Sequence, residues 1–179
     1  MFLGGQGIIQ PPEGSGIRNI EAVTLSLGAS VTSGTATLTT PIKEENCLII
    51  SPSQNYAIGG GPSSQYAAYV EPQTLVDGEF TEVYAERNDG NAVLDISLFV
   101  IELFGTKTLK YYQGVKATGS VAITIDSVDT SKAFVMPLGF APYVGSASHY
   151  CGTYELTSST EVTIDAGQGD YSFAVVEIY

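Results

Sequence analysis

The chain is poor in cationic side chains. Its 179 residues include only seven Lys and Arg and one His, against nineteen Asp and Glu, which gives a formal net charge of -12. Such a surface repels the phosphates of nucleic acids and of anionic lipids. We therefore expect neither nucleic acid nor a membrane among the partners of this protein.

Cysteine is also scarce. The two thiols, Cys47 and Cys151, are too few for a disulfide-stapled scaffold, and both lie in strand-like sequence. That setting favours buried thiols that act as small apolar side chains. The N-terminus lacks a basic region, and Gly4, Gly5 and Gly7 interrupt its apolar residues. We expect no signal peptide and no membrane-spanning segment, and hence assembly in a cytoplasm.

Helical periodicity is absent. No segment sustains apolar residues at the i, i+3, i+4 and i+7 spacing, whereas 20 glycines and frequent Thr, Ser, Val and Tyr are typical of strands and turns. The expected fold class is therefore all-β and antiparallel, with almost no helix. In the first half, turn signals separate predicted strands at residues 17–27, 31–40, 66–76, 80–87 and 92–104, and the apolar run "ENCLIIS" (45–51) predicts one more.

Residues 1–16 differ from the rest. They contain five glycines, two adjacent prolines and four large apolar residues, a composition that cannot form a core alone. We interpret them as an extended N-terminal arm that lies in a neighbour's groove; a disordered tail is the alternative. The candidate assembly contacts in this arm are Phe2, Leu3, Ile8 and Ile9.

Four segments of the first half return in the same order in the second half. The matches are "IRNIEAVTL" (17–25) with "LKYYQGVKA" (109–117), "TLTTPIKEENCLII" (37–50) with "ITIDSVDTSKAFVM" (123–136), "TEVYA" (81–85) with "TEVTI" (160–164), and "SLFVIEL" (97–103) with "SFAVVEI" (172–178). The order predicts an internal duplication that gives two similar tandem antiparallel β-sandwich units, residues 17–104 and 105–179. Chance similarity between β-rich segments is the alternative.

The second copy contains the segments "LKYYQGV", "SVAITIDSVDTSKAFV" and "SSTEVTIDAGQGDYSFAVVEIY". Together they resemble a repeat found in virion proteins of tailed bacteriophages, although no Arg stands between Gln113 and Gly114. It implies a non-enzymatic building block, made in the host cytoplasm and incorporated into the virion. A capsid decoration protein is the first expectation, and a tail or fibre module that binds host surface glycan is the second. Other virion proteins are the expected partners, and a closed homo-oligomer such as a trimer is the expected state.

Tyrosines concentrate in two corresponding segments, "NYAIGGGPSSQYAAY" (55–69) and "APYVGSASHYCGTY" (141–154). Tyr among Ser and Gly is typical of recognition loops, because the ring supplies rigid contact area while the small polar residues adapt. Packing over the sandwich rim, with the hydroxyls in water, is the alternative. The candidate loop recognition contacts are Tyr56, Tyr66, Tyr69, Tyr143, Tyr150 and Tyr154.

Catalytic signals are weak. The only histidine, His149, stands two residues from Cys151, so a strand would place both side chains on one face. A zinc site needs about four ligands, and this pair has no further His or Cys near it in sequence. We therefore expect His149 to be a polar loop or strand-edge residue, and we predict no catalytic residue, no metal site and no cofactor.

Two oxygen-rich segments allow a calcium alternative. "NDGN" (88–91) and "DAGQGD" (165–170) have the composition of plain turns, in which Asp forms local hydrogen bonds, but oxygen-rich turns also bind Ca²⁺. The glycines of "GGG" (59–61) lack the Lys-Ser/Thr that a phosphate-binding loop requires. Nucleotide binding is not expected.

Overall fold

A computed structural model describes residues 16–56, 68–88, 90–104, 106–142 and 153–178. These residues form ten strands and one 3-10 turn, Glu44–Asn46, with no α-helix in the described ranges, so the all-β prediction is confirmed. The strands are β1 (Gly16–Leu27), β2 (Ser33–Lys43), β3 (Cys47–Tyr56), β4 (Tyr69–Val76), β5 (Glu79–Glu86), β6 (Leu94–Phe104), β7 (Thr106–Thr124), β8 (Ala133–Pro142), β9 (Thr153–Ser158) and β10 (Glu161–Ile178).

The strands form two sheets, and in both sheets all neighbouring strands described are antiparallel. One sheet has three strands in the order β1-β6-β3. The other has seven, in the order β2-β5-β4-β8-β10-β7, with β9 paired to β10. Strands from both predicted units therefore share the larger sheet.

The first core lies between β1-β6-β3 and β2-β5-β4. Alternate residues of β1 and β6 are buried in it, among them Leu25 and Leu98, and they share one apolar cluster with Val83 of β5. On β2 the threonines at alternate positions stay exposed while Leu38 is buried, as expected for a strand with one solvated face. Cys47 is buried in this core, as expected for a small apolar side chain.

The second core is built around β10. The first part of this 18-residue strand pairs with β7 and β9, and its last part pairs with β7 and β8. Val162 and Ile164 from the first part join the same apolar cluster as Phe173 and Val175 from the last part. One continuous strand therefore supplies both sides of this core.

The segment "DAGQGD" is not a turn, contrary to the prediction, because it lies inside β10. Gly169 packs closely against β8 at a β-bulge in the pairing with β7, between Ala166 and Gly169. A Cβ at position 169 would lie 2.7 Å from the carbonyl oxygen of Ala141. Glycine is therefore required here by the approach of β8.

The ladder β7-β10-β8 repeats the pairing of the ladder β1-β6-β3. Equivalent cross-strand rows are Ile20, Ile101 and Leu48 in the first ladder, and Leu109, Val176 and Phe134 in the second. Ile101 of β6 thus corresponds to Val176 of β10, and Leu48 of β3 corresponds to Phe134 of β8. The sequence match pairs the same residues. For β1 and β7 the ladders and the sequence match differ by three residues. The ladders place Leu109 at the position of Ile20, whereas the sequence match places it at the position of Ile17.

A shared irregularity supports the alignment given by the ladders. The pairing of β1 with β6 slips between Ile17 and Asn19, and the pairing of β7 with β10 slips between Thr106 and Thr108. The sequence match aligns Arg18 with Lys110, since both residues are basic. The strand pairing instead aligns the bulge at Arg18 with residue 107. A bulge shifts the strand phase, and sequence similarity alone does not detect it.

The remaining ladders also correspond. The order β2-β5-β4 has its counterpart in β7-β10-β9, which uses the far end of β7 and the first part of β10. Equivalent rows are Thr35, Tyr84 and Glu71, and Ala122, Thr163 and Glu155.

The two halves meet where Tyr69 of β4 pairs with Gly139 of β8. Gly139 has a φ of 135°, and a Cβ there would lie 2.5 Å from the carbonyl oxygen of Ala68. The apolar cluster of the first core also includes Leu138, Ala174 and Val176 from the second half. The predicted boundary between residues 104 and 105 is thus crossed by both a sheet and a core. Residues 1–15 of the predicted arm lie outside the described residues.

We predict that Gly139→Ala lowers the free energy of unfolding by about 2 kcal/mol or more, because it adds a clash to an unfavourable φ. Gly78→Ala is the matched control, since Gly78 also has a positive φ, of 80°, but nothing lies within 4 Å of the added Cβ. The control should cost about 1 kcal/mol. Denaturant unfolding followed by circular dichroism measures both, and equal losses would contradict the close approach at Gly139.

Candidate functional site

The structure describes the side chains of two of the six candidate tyrosines, and both are strand residues. Tyr69 begins β4 and is buried, and Tyr154 lies in β9 against Tyr171 and Phe173 of the second core. Tyr56 ends β3. The other three candidates, Tyr66, Tyr143 and Tyr150, lie outside the described residues, as do Phe2, Leu3, Ile8, Ile9, His149 and Cys151.

Tyr69 belongs to a hydrogen-bonded group on the larger sheet. Its hydroxyl donates to Glu86 Oε2 at 2.6 Å, and the hydroxyl of Tyr84 donates to the same oxygen at 2.7 Å. Burial, and then the hydrogen bond to Glu86, raise the pKa of Tyr69 well above its ordinary value. The same two causes raise the pKa of Tyr84. Because Tyr69 and Glu86 are cross-strand partners, the hydrogen bond between them joins β4 to β5.

We predict that the protein loses stability as the pH rises above about 10, because the unfolded chain then releases tyrosine protons that the folded chain retains. The stabilising effect is fully present below that pH and is lost progressively above it. Tyr69→Phe should flatten this alkaline decline. Guanidinium unfolding at pH values from about 8 to 11.5 tests the prediction, and parallel curves for both proteins would contradict it.

Arg18 lines an open depression of about 410 Å³ between the two sheets of the first half, together with Asn19, Thr40, Pro41, Glu79 and Glu102. Its Nη1 lies 3.0 Å from Oε1 of the buried Glu102, and its guanidinium stands 5.7 Å from the ring centre of Phe104. One cation thus faces two carboxylates. The depression is therefore poorly suited to an anion, and the guanidinium instead fixes the bulged start of β1 against the end of β6.

We predict that Arg18→Met lowers the free energy of unfolding by about 1 kcal/mol at neutral pH, because the buried Glu102 loses its cation while the apolar stem is kept. Arg18→Lys should retain most of the stability. The control is Lys132→Met, which removes an exposed ion pair with Asp129 and should change little. Denaturant unfolding measures all three. Equal effects of Arg18→Met and Lys132→Met would contradict a structural role for the pair.

Other carboxylates bind backbone groups. Glu21 accepts hydrogen bonds from the backbone N–H groups of Thr39 and Thr40, at 2.7 and 3.4 Å. These residues lie where β2 slips in register against β5, so Glu21 satisfies donors that the sheet leaves unpaired. Asp129 accepts from the backbone N–H and the hydroxyl of Ser131, which lowers the pKa of its carboxyl. No group of three or more His, Cys, Asp or Glu that could hold a metal ion occurs within the described ranges.

The outer face of the three-stranded sheet is the most distinctive surface. It carries six uncharged positions in two cross-strand rows, one of Ile20, Ile101 and Leu48 and one of Ala22, Phe99 and Ile50. Phe99 on the central strand is 42% exposed, and Ile20 and Ile50 on either side are 53% and 40% exposed, whereas Ile101 is 8% exposed and Leu48 packs against the first core. Exposed apolar residues that cluster on a chain of net charge -12 are typical of an interaction site.

The sequence contains one signal for this face, in β6. Residues 98–101 of that strand, "LFVI", are four consecutive apolar residues. A strand with one solvated face alternates apolar and polar residues, whereas an uninterrupted apolar run indicates a strand covered on both sides. The run therefore indicates a cover on the outer side of β6 as well as on the core side.

No protein-family model, curated protein or solved structure matches the chain. In the part of the chain that the structure describes, no helix has the length and apolar character that crossing a membrane requires.

Proposed function

We propose that this chain is a non-enzymatic structural protein of a tailed-bacteriophage virion, most directly a capsid decoration protein. The observation that carries the proposal is the group of exposed apolar residues Ile20, Phe99 and Ile50 on the outer face of β1-β6-β3, on a chain of net charge -12. Its function is to bury surface against other proteins. The resemblance of the second half to phage virion repeats supports the same proposal.

The proposal includes an internal duplication. Two features support it: the equivalent ladders, and the equivalent β-bulges at the starts of β1 and β7. Two successive sandwich-like units arise by this route, residues 17–104 and 105–179, packed together through β10. A unit of about 85 residues buries too little surface to be comfortably stable alone, and packing against a sister unit supplies the missing burial.

The N-terminal arm is proposed as the attachment to the particle. β1 begins at Gly16, which pairs with Phe104 at the edge of the three-stranded sheet. The arm is thus followed directly by an edge strand of the three-stranded sheet. Phe2, Leu3, Ile8 and Ile9 are its proposed contacts with other virion proteins, and assembly takes place in the host cytoplasm.

A tail or fibre module that binds host glycan is the alternative. One observation favours it: β4 begins next to the end of β8, because Tyr69 pairs with Gly139. The two Tyr-containing segments, which precede β4 and follow β8, therefore connect to the sheet at the same place. Tyr56, Tyr66, Tyr143 and Tyr150 could contribute to one combined recognition surface.

The test is the location and copy number of the chain on particles. We predict that antibody-labelled electron microscopy of particles released by cells encoding this chain shows many labels distributed over the head. A few labels at the tail tip would favour the alternative, and unlabelled particles would contradict both proposals.

A truncation tests the arm separately. Deleting residues 1–15 should leave the circular dichroism spectrum unchanged and abolish incorporation, because the deletion removes the proposed attachment and keeps every described strand. The matched control is replacement of Phe2, Leu3, Ile8 and Ile9 by Ser in the full-length chain, which should also abolish incorporation. Retained incorporation in either variant would contradict attachment through the apolar residues of the arm.

A further inference from the structure

We propose that the three exposed apolar residues of the outer face, Ile20, Phe99 and Ile50, bind residues 8–9 of the N-terminal arm of the same chain. The arm then covers these residues in the free protein. This contact is additional to the proposed contacts of the arm with other virion proteins, and it does not depend on which particle contains the chain.

The exposed apolar area is small. Phe99 pairs with Ile50 and with Ala22, and Ile20 stands two residues before Ala22 on the same face of β1. The buried Ile101, opposite Ile20, bounds this group. Three half-exposed side chains offer about 300 Å² together, whereas a stable interface between two globular proteins buries about 800 Å² on each partner. The group therefore fits a short extended segment better than a second folded chain.

The arm is the segment whose charge suits this surface. Residues 1–12 contain no Asp, Glu, Lys or Arg, on a chain with nineteen acidic and seven basic side chains. The outer face is uncharged around Phe99 as well, since the next row pairs Thr24 with Ser97. Burial of an uncharged segment on this surface removes no charge from water.

The arm joins the sheet within reach of these residues. β1 begins at Gly16, which pairs with Phe104, so the rows of Ile20 and Phe99 lie about 10 and 17 Å away at about 3.4 Å per residue. The six residues between Ile9 and Gly16 span up to about 20 Å when extended. Gly16 has a φ of 125°, a conformation that favours glycine and permits a turn of the chain at this point.

The short connection favours docking within one chain. A tether of six residues holds Ile9 near the outer face of its own chain at an effective concentration on the order of millimolar. In a micromolar solution, the arm of a second chain is about a thousandfold more dilute. The arm therefore occupies its own outer face first.

The four apolar residues of the arm then divide between two partners. With Ile9 beside Ile20, Leu3 stands six residues further along, level with the row of Ser26 and Asp95. The outer face is polar there, because the hydroxyl of Ser26 donates a hydrogen bond to the exposed Asp95. Residues 8–9 thus bind the outer face, and residues 2–3 stay available for other virion proteins.

The experiment places a fluorescent reporter in the arm of the full-length protein. The chain contains no tryptophan, so Ile9→Trp introduces a single indole. We expect its emission to lie at shorter wavelength, and its quenching by acrylamide to be weaker, than in a synthetic peptide of residues 1–15 with the same substitution. Emission and quenching equal to those of the peptide would overturn the proposal.

Further substitutions in the Ile9→Trp protein identify the surface. Phe99→Lys should return the emission to that of the peptide, because it places a charge at the centre of the apolar group. Ile20→Lys on the edge strand should do the same, and it replaces Phe99→Lys if circular dichroism shows that the latter is unfolded. Val93→Lys, at an exposed apolar residue outside the outer face, is the control and should leave the emission unchanged. Emission that stays shifted in both face variants would contradict the proposal.

Dilution separates the chain's own arm from a second copy. The emission of the Ile9→Trp protein should not depend on protein concentration. A shift that disappears on dilution, or an association in sedimentation that Phe99→Lys abolishes, would assign the outer face to a second copy and overturn the proposal.

The assay contains no particles, so its result is independent of the proposed function. A docked arm in a chain that is missing from virions would contradict only the proposed function. A solvated arm in a chain that is found on virions would contradict only this inference.

Discussion

The structure depends on the burial of β10 on both of its faces. From Tyr171 to Glu177 every residue of this strand is buried: alternate side chains enter the second core, and the intervening Ala174 and Val176 enter the first. A strand in this position cannot slip by one residue without exchanging the contents of two cores. The register of β7 and β8 on either side follows from it, and so does the packing of the second half onto the first.

Polar residues in this fold mainly complete the backbone pairing that the sheets leave open. Arg87 is buried and donates to the carbonyl oxygens of Gly28 and Val31, at 2.8 Å each, in the turn between β1 and β2. Glu21 does the corresponding work for the bulge in β2. Because unpaired backbone groups are costly when water is excluded, these hydrogen bonds stabilise the turn after β1 and the irregular part of β2.

Strand positions and the all-β class were predictable because alternation and turn residues are local signals. The position of "DAGQGD" inside a strand was not predictable from local signals. A glycine that close packing against β8 requires looks the same in the sequence as a glycine that a turn requires. The register slip at Arg18 also escaped prediction, because a bulge alters phase without altering composition. The uninterrupted apolar run of residues 98–101 indicated that the outer face of β6 is apolar. Whether another sheet packs on that face depends on the tertiary structure, which a local pattern does not contain.

The central claim is that the two halves share one packed structure through β10. Hydrogen exchange of backbone amides in increasing denaturant tests it most directly, because it reports which segments open together. The account predicts that the amides of β10 at residues 171–177 and those of β6 lose protection in a single cooperative step. Loss of protection throughout residues 106–178 at denaturant concentrations that leave residues 16–104 fully protected would contradict it.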